Sequence, residues 1–208
     1  MPLRGRRPAR PIRRRGPTRQ PRQRILVVCE GEVTEPRYID ALRRHARNPL
    51  VEVKVASETG APLTLVTIAM RLKQEAEVEA RRQRDDNLRW DQVWGVFDVD
   101  EHARLDEAKG LAESASIRLA VSNPCFELWA LLHFRDQRAY IERGRVQSEL
   151  QRHMPGYDKE LDFVRMHPTY AEAARRAEEL DRLAVTDGEA GRNPSTQVYR
   201  LTAVILAT

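Results

Sequence analysis

Short apolar runs alternate along the chain with longer segments in which apolar residues recur at helical spacing. The first run, Ile25 to Cys29, is rich in β-branched residues and is not interrupted by polar ones, which is typical of a strand buried on both faces of a sheet. Three further strands are predicted at Val51 to Ala56, Val93 to Phe97 and Ile117 to Val121. Helices are predicted between and after these strands, at about 34–46, 62–84, 102–114 and 124–134.

The regular alternation of strands and helices, joined by a few residues each, predicts an α/β fold with a mostly parallel sheet covered by helices on both faces. Beyond Arg135 the pattern is helical, at about 143–154, 170–183 and a last amphipathic helix with Val198, Leu201 and Ile205 on one face. We therefore predict a domain of residues 25–208, made of an α/β core (25–135) and a helical C-terminal part (136–208).

Two local features are predicted in the helices. Thr34 precedes an acidic residue and a proline, which is the pattern of an N-cap. The long second helix changes character along its length, because its first half is apolar whereas residues 73–84 are mostly charged. We expect that charged half to project into solvent, and a docking surface for a partner is the functional alternative.

Residues 1–24 differ from the rest of the chain. They contain ten arginines, five prolines and no acidic residue, so they carry a charge of +10, which leaves −5 for residues 25–208 because the whole chain carries +5. So few apolar residues cannot compensate the entropy of ordering, and we predict a disordered tail. We interpret it as an arm that attracts nucleic acid, with a solvated leader as the alternative. The predicted contacts are Arg4, Arg6, Arg7, Arg10, Arg13, Arg14, Arg15, Arg19, Arg22 and Arg24.

Composition excludes several classes of protein. The chain has no apolar run near the ~18 residues of a membrane span, and no apolar segment follows its basic start as in a secretory signal. Its two cysteines, Cys29 and Cys125, cannot form a disulfide framework. The 208 residues are enough for one domain with a real core, and we expect a cytoplasmic protein.

Acidic residues follow three of the predicted strands. Glu30 comes directly after the first strand, Asp98 and Asp100 end the third, and Glu127 lies one turn into the helix after the fourth. Carboxyl ends of parallel strands meet at one edge, where ligands bind. Carboxylate oxygens there favour Mg²⁺ or Mn²⁺, ions that activate water and stabilise phosphoryl oxygens. Three alternatives stay open: Asp-x-Asp is common in loops, Glu30 could serve a turn, and Glu127 could pair with an arginine.

Lysine is rare in this chain, with four residues beside 32 arginines. A lysine that is retained in such a background could serve where a compact ammonium is needed. Lys159 lies in a predicted loop that could fold over the acidic edge, so it could neutralise a phosphate. An ordinary surface lysine is the alternative.

Four segments of the chain form a recognisable set: Ile25 to Glu35, Phe97-Asp98-Val99-Asp100, Ser122 to Trp129, and Asn193-Pro194-Ser195-Thr196. Together they resemble the RloB family, over nearly all of residues 24–208. This resemblance implies a Toprim-like fold, a role in phage defence by abortive infection, and a neighbouring AAA/ABC-type ATPase. Toprim domains place a glutamate after the first strand and Asp-x-Asp after a later one, as Glu30, Asp98 and Asp100 stand here.

The chain departs from the related OLD-type Toprim nucleases at two points. Position 34 is threonine, with the acid displaced to Glu35, and Ser122 and Glu127 are five residues apart rather than two. The resemblance thus implies a Mg²⁺- or Mn²⁺-dependent nuclease subunit acting on DNA, tRNA or other RNA. Glu30, Asp98, Asp100 and Glu127 would hold metal and Lys159 a phosphate, with Glu30 a possible general acid or base. The rival hypothesis is a noncatalytic scaffold that binds nucleic acid or docks on the ATPase.

Overall fold

The computed structural model describes residues 22–99 and 104–207 of the chain, and it shows the predicted α/β architecture. Five strands in that part form one sheet in the order β2-β1-β3-β4-β5, and the first four of these are parallel. The strands are β1 (Gln23–Cys29), β2 (Val51–Val55), β3 (Gln92–Asp98), β4 (Arg118–Asn123) and β5 (Ser195–Thr196). The helices are α1 (Thr34–Ala46), α2 (Pro62–Gln83), α3 (Leu105–Ser114), α4 (Glu127–Leu132), α5 (Arg143–His153), α6 (Phe163–Met166), α7 (Tyr170–Thr186) and α8 (Val198–Leu206).

Alternate residues of β1 face two apolar cores, one on each side of the sheet. Ile25, Val27 and Cys29 face a large core that α1 shares with the C-terminal helices α4, α5, α7 and α8. Leu26 and Val28 face a smaller core that is closed by α2 and α3. All five residues are fully buried, which explains why the run has no polar member.

A glycine in β3 allows α2 to pack closely on the sheet. A side chain at Gly95 would place its Cβ 2.7 Å from the Leu65 side chain and 3.1 Å from that of Leu119. A larger residue would therefore require the Leu65 side chain, which belongs to α2, to shift. Within the described residues, no helix is long and apolar enough to cross a membrane.

Three local predictions need correction. Val33, not Thr34, precedes the first helical residue, and the Thr34 hydroxyl makes a tertiary contact described below instead of capping. The charged half of α2 does not simply project into solvent, because Ala80 is buried and the Lys73 ammonium donates to the Ala115 carbonyl oxygen at 2.8 Å. The two-residue strand β5, which is antiparallel to β4, was not predicted.

The first strand begins inside the segment that the sequence assigned to the basic arm. Strand β1 begins at Gln23, so Arg24 belongs to the sheet, and its assignment to a disordered nucleic-acid arm is wrong. Its guanidinium lies 4.1 Å from the centre of the Trp90 ring, donates to the Leu88 carbonyl oxygen, and pairs with Glu52 at 3.3 Å. These contacts fix the start of β1. The other predicted arm residues, except the exposed Arg22, lie outside the described residues.

Candidate active site

The order of the strands creates a crevice beyond the carboxyl ends of β1 and β3. From β1 the chain continues to β2 on one side, whereas from β3 it continues to β4 on the other. Ligands of open α/β sheets bind at such a switch point. The structure places Glu30 and Asp98 there: the Glu30 amide donates to the Val96 carbonyl oxygen at 2.9 Å, and the Asp98 amide donates to Glu30 Oε2 at 3.1 Å.

A cleft of about 540 Å³ opens at this edge. Residues from β3, α1, α4 and α5 line it together with the loops after β1, before α2 and before α6, and its charged groups are predominantly acidic. Asp100, the fourth predicted ligand, lies outside the described residues. The charged lining residues are Glu30, Glu32, Glu35, Asp98, Glu127, Arg143 and Lys159.

Glu35, an acidic residue in the first turn of α1, also lines the cleft. Its carboxylate folds back over the turn after β1, where the absence of a side chain at Gly31 makes room for it. Burial raises the pKa of Glu35, and the nearby carboxylates of Glu127 and Glu30 raise it further. The acid at position 35 therefore does more than begin a helix, because its side chain contributes negative charge to the cleft.

Asp98 lies near other carboxylates and forms an ion pair with Arg143. Its side chain is 13% exposed, and Arg143 Nη2 lies 3.0 Å from its Oδ2 atom. Burial raises the pKa of Asp98 to about 8, the Glu35 carboxylate adds to this effect, and the Arg143 guanidinium opposes it. Arg143 begins α5, in the C-terminal part of the chain, and the sequence did not point to it as a site residue.

Glu127 is buried, and the side chains that donate to it are a tyrosine and a glutamine rather than the arginine considered at the outset. The Tyr157 hydroxyl donates to Glu127 Oε1 at 2.8 Å, and Gln147 Nε2 donates to the same oxygen at 3.2 Å. These hydrogen bonds compensate part of the cost of burying the carboxylate. Burial and the adjacent Glu127 carboxylate raise the pKa of Tyr157, so its proton is retained and donated. The pair fixes the direction in which Glu127 points.

Lys159 lies on the rim of the cleft, as its predicted role requires. Its backbone has φ of +59°, an uncommon left-handed conformation, and its carbonyl oxygen accepts a hydrogen bond from the Thr34 hydroxyl at 3.0 Å. This contact attaches the loop before α6 to the first turn of α1. The loop thus brings Tyr157 and Lys159 to the cleft together.

The carboxylate oxygens of the cleft are suitable ligands for a hard divalent cation, although the described residues do not form a complete set of metal ligands. Carboxylate oxygens are the ligands that Mg²⁺ and Mn²⁺ prefer, and the mutual repulsion that raises the pKa values of Glu35 and Asp98 is what such an ion relieves. In the described ranges, which omit Asp100, no three His, Cys, Asp or Glu side chains are arranged to hold a metal ion. Binding would require Asp98 to turn from Arg143.

Two of the segments that carry the family resemblance, Ser122 to Trp129 and Asn193 to Thr196, lie side by side. Ser122 Oγ and Thr196 Oγ1 are 2.9 Å apart and buried, and the Asn123 amide donates to the Gly191 carbonyl oxygen at 2.9 Å. Asn193 makes two hydrogen bonds to the backbone of Ile141, of 3.0 and 2.8 Å. The contacts of Ser122 and Asn123 join the α/β core to the helical C-terminal part, and those of Asn193 connect two segments within that part.

Comparison with known proteins identifies the family of this chain. The family model described as RloB-like protein matches residues 25–205. Neither a curated protein nor a solved structure matches the chain. The family match spans every element from β1 to α8 that builds the cleft, and the chain belongs to the RloB-like protein family.

Proposed function

We propose that this RloB-like protein is a metal-dependent phosphodiesterase that cuts nucleic acid, and that the carboxylate cleft is its active site. One observation carries the proposal: three segments that are distant along the chain, residues 30–35, Asp98 and Glu127, bring carboxylates into one cleft, beside two cationic side chains. Burial and mutual repulsion raise the pKa values of Glu35 and Asp98, and perturbed pKa values of this kind cluster at functional sites. The four carboxylates are those of Glu30, Glu35, Asp98 and Glu127.

The residues divide into two chemical roles. Glu30, Asp98 and Glu127, with Asp100 outside the described residues, would hold Mg²⁺ or Mn²⁺, and Glu35 is an additional oxygen donor. When bound, such an ion supplies an activated water and stabilises charge on phosphoryl oxygens. Lys159 and Arg143 place positive charge at the rim, where it can neutralise a phosphate oxygen in the transition state. Tyr157 and Gln147 keep Glu127 oriented.

The family resemblance extends the proposal to a biological setting. We infer a Toprim-type nuclease subunit of a prokaryotic anti-phage system, which acts in the cytoplasm together with an AAA/ABC-type ATPase. The basic arm would increase encounter with the polyanionic substrate. The polymer, DNA or tRNA or another RNA, is an outcome of the test below.

The experiment is cleavage of plasmid DNA and of tRNA by the purified full chain with Mg²⁺, Mn²⁺ or EDTA, with and without the ATPase and ATP. Asp98→Asn and Glu127→Gln remove one negative charge each from the cleft. Glu79→Gln is the matched control, because Glu79 lies seventeen positions beyond the start of α2, or roughly 25 Å along the helix axis. All three variants are first compared with the wild type by thermal unfolding.

We expect metal-dependent cleavage that is lost in Asp98→Asn and Glu127→Gln and kept in Glu79→Gln. Cleavage that is equal in the wild type and in Asp98→Asn would place the chemistry elsewhere. No cleavage of either polymer, even with the ATPase and ATP, would contradict the enzyme and favour the noncatalytic scaffold.

A further inference from the structure

Helix α5 carries an unusual excess of positive charge for a surface helix of this protein. It contains three arginines and a single acidic residue, Glu149, which is buried. The other long helices are nearly balanced: α2 has four basic and three acidic residues, and α7 has three basic and four acidic residues. The exposed residues of α5 therefore include arginines and no acidic side chain.

Glu149 collects three arginines around one carboxylate. Arg145 and Arg152 lie 2.6 and 3.0 Å from Glu149 Oε1, and Arg135 lies 3.4 Å from Oε2. The carboxylate is 7% exposed, whereas the three arginine side chains are 45% to 65% exposed. One buried negative charge thus fixes three guanidiniums whose outer sides face solvent, and the group keeps a charge of +2. We name these three residues the arginine cluster.

The arginine cluster and the cleft lie on opposite flanks of the same helix. Arg143 and Gln147, four residues apart, line the cleft, whereas Arg145 and Arg152 project about half a turn away from them. The exposed face between the two flanks consists of small or uncharged residues, Gly144, Ser148 and Gln151. A polyanion that crosses this helix, which is about 10 Å wide, meets no negative side chain of α5 on its way to the cleft.

An exposed aromatic residue lies between Arg135 and α5 along the chain. Tyr140 is 71% exposed, in the segment that connects α4 to α5. The next residue, Ile141, is held at both its amide and its carbonyl oxygen by the Asn193 side chain, so the backbone next to Tyr140 is fixed. Exposed aromatic rings combined with arginines are the features on which single-stranded segments bind.

We propose that the arginine cluster and Tyr140 bind a single-stranded segment of nucleic acid, whose backbone then crosses α5 into the carboxylate cleft. The phosphates would contact the outer sides of Arg135, Arg145 and Arg152, and one base would stack on Tyr140. This inference builds on the proposed function in its choice of partner, and it assigns substrate binding to residues that the basic arm does not include.

The test measures binding of a fluorescent single-stranded oligonucleotide to the full chain by anisotropy, in EDTA, over a range of salt concentrations. Removing Arg145 and Arg152 alone would leave the buried Glu149 with only Arg135 of its three arginine partners, so the variants are compared in a background that lacks the Glu149 charge. Glu149→Gln is set against the triple variant Glu149→Gln/Arg145→Gln/Arg152→Gln. Arg81→Gln/Arg82→Gln, in the last turn of α2 on the other face of the sheet, is the charge-matched control.

We expect Glu149→Gln to bind roughly fivefold more tightly than the wild type, since it frees three guanidiniums from a competing anion. The triple variant should bind at least about tenfold more weakly than Glu149→Gln, with a salt slope shallower by about 1.4 for two lost phosphate contacts. The control should match the wild type. A purely structural role for the arginine cluster predicts the opposite for Glu149→Gln, namely unchanged or weaker binding.

Tyr140→Ser gives a second measurement that does not disturb Glu149. It should weaken binding of the single strand by about tenfold and leave binding of a duplex of the same length unchanged. Equal affinity and equal salt slope in the triple variant and Glu149→Gln would overturn the proposal. Binding to anionic phospholipid vesicles is measured in parallel. If the triple variant loses only vesicle binding and keeps oligonucleotide binding, the proposal is also overturned. Because EDTA prevents cleavage, the binding result stands independently of whether the protein proves to be a nuclease.

Discussion

The hydrogen bond between Tyr157 and Glu127 offers a direct test of how the cleft is built. Tyr157→Phe removes only the hydroxyl that donates to Glu127 Oε1 at 2.8 Å, and it keeps the ring in place. Glu127 is 8% exposed, so water cannot readily replace the lost donor. Gln147, at 3.2 Å from the same oxygen, would remain as a donor, and the Cys125 side chain also hydrogen-bonds to Glu127.

A hydrogen bond to a charged group contributes about 1.5–3 kcal/mol to stability. We therefore expect Tyr157→Phe to lower the free energy of unfolding by about 2 kcal/mol in urea denaturation. In a double-mutant cycle with Glu127→Gln the two changes should be coupled by about 1–2 kcal/mol, because a neutral amide accepts the same bond less strongly. Tyr170→Phe, whose hydroxyl lies 3.0 Å from Thr202 Oγ1, is the matched control and should show no coupling to Glu127.

The same variant tests whether Tyr157 positions a metal ligand. If Glu127 contributes to a metal site, losing the donor that orients it should weaken Mn²⁺ binding by about tenfold in isothermal titration calorimetry. Tyr170→Phe should leave that affinity unchanged. A coupling energy below about 0.3 kcal/mol would refute the structural reasoning, and unchanged Mn²⁺ affinity despite strong coupling would refute the role of Glu127 as a ligand.

Three other predictions concern parts of the molecule outside the cleft. Burial lowers the pKa of His133 from 6.5 to about 4, so the neutral ring stabilises the fold above pH 6.5 and this contribution is lost as pH falls towards 4. Relative to His133→Asn, the wild type should lose about 3 kcal/mol of unfolding free energy over that range. Arg24→Met should destabilise the protein by about 1–2 kcal/mol in urea, whereas Arg22→Met should not. Removing residues 1–21 should weaken oligonucleotide binding and flatten its salt dependence, and unchanged binding at low salt would contradict a nucleic-acid arm.

The parallel core was predictable because its signals are local. Five consecutive buried residues, Ile25 to Cys29, identify a strand with no information from elsewhere in the chain. Strand β5 gave no such signal, since it has two residues and exists because Ser195 pairs with Asn123 at the end of β4. Thr34 was mistaken for an N-cap for a similar reason: its hydroxyl finds its partner 125 positions away, at Lys159.

The residues of the candidate site also divide into those that the sequence predicts and those that depend on tertiary packing. Glu30 and Asp98 follow adjacent parallel strands, so topology alone brings them to one edge. Arg143, Gln147 and Tyr157 come from the C-terminal part, whose placement depends on tertiary packing that no periodicity encodes. Two weak signals were present: Arg143 and Gln147 are four residues apart on one helix, and Tyr157 stands two positions from Lys159, in a loop already expected near the acids.

If the cleft cuts nucleic acid as proposed, its charge means that the polyanion needs a second binding surface. Five carboxylates and two cations line it, so the cleft repels phosphates while its carboxylates are ionised. Burial first, and then the neighbouring Glu35 carboxylate, raise the pKa of Asp98 to about 8. A divalent ion would lower the repulsion only at the point of chemistry, and it would do little for neighbouring phosphates along a strand. Those phosphates need positive charge beside the cleft, and α5 has it on the flank that faces away from the acids. Acidic chemistry and cationic binding on two sides of one helix therefore form a consistent arrangement for an enzyme that cuts nucleic acid.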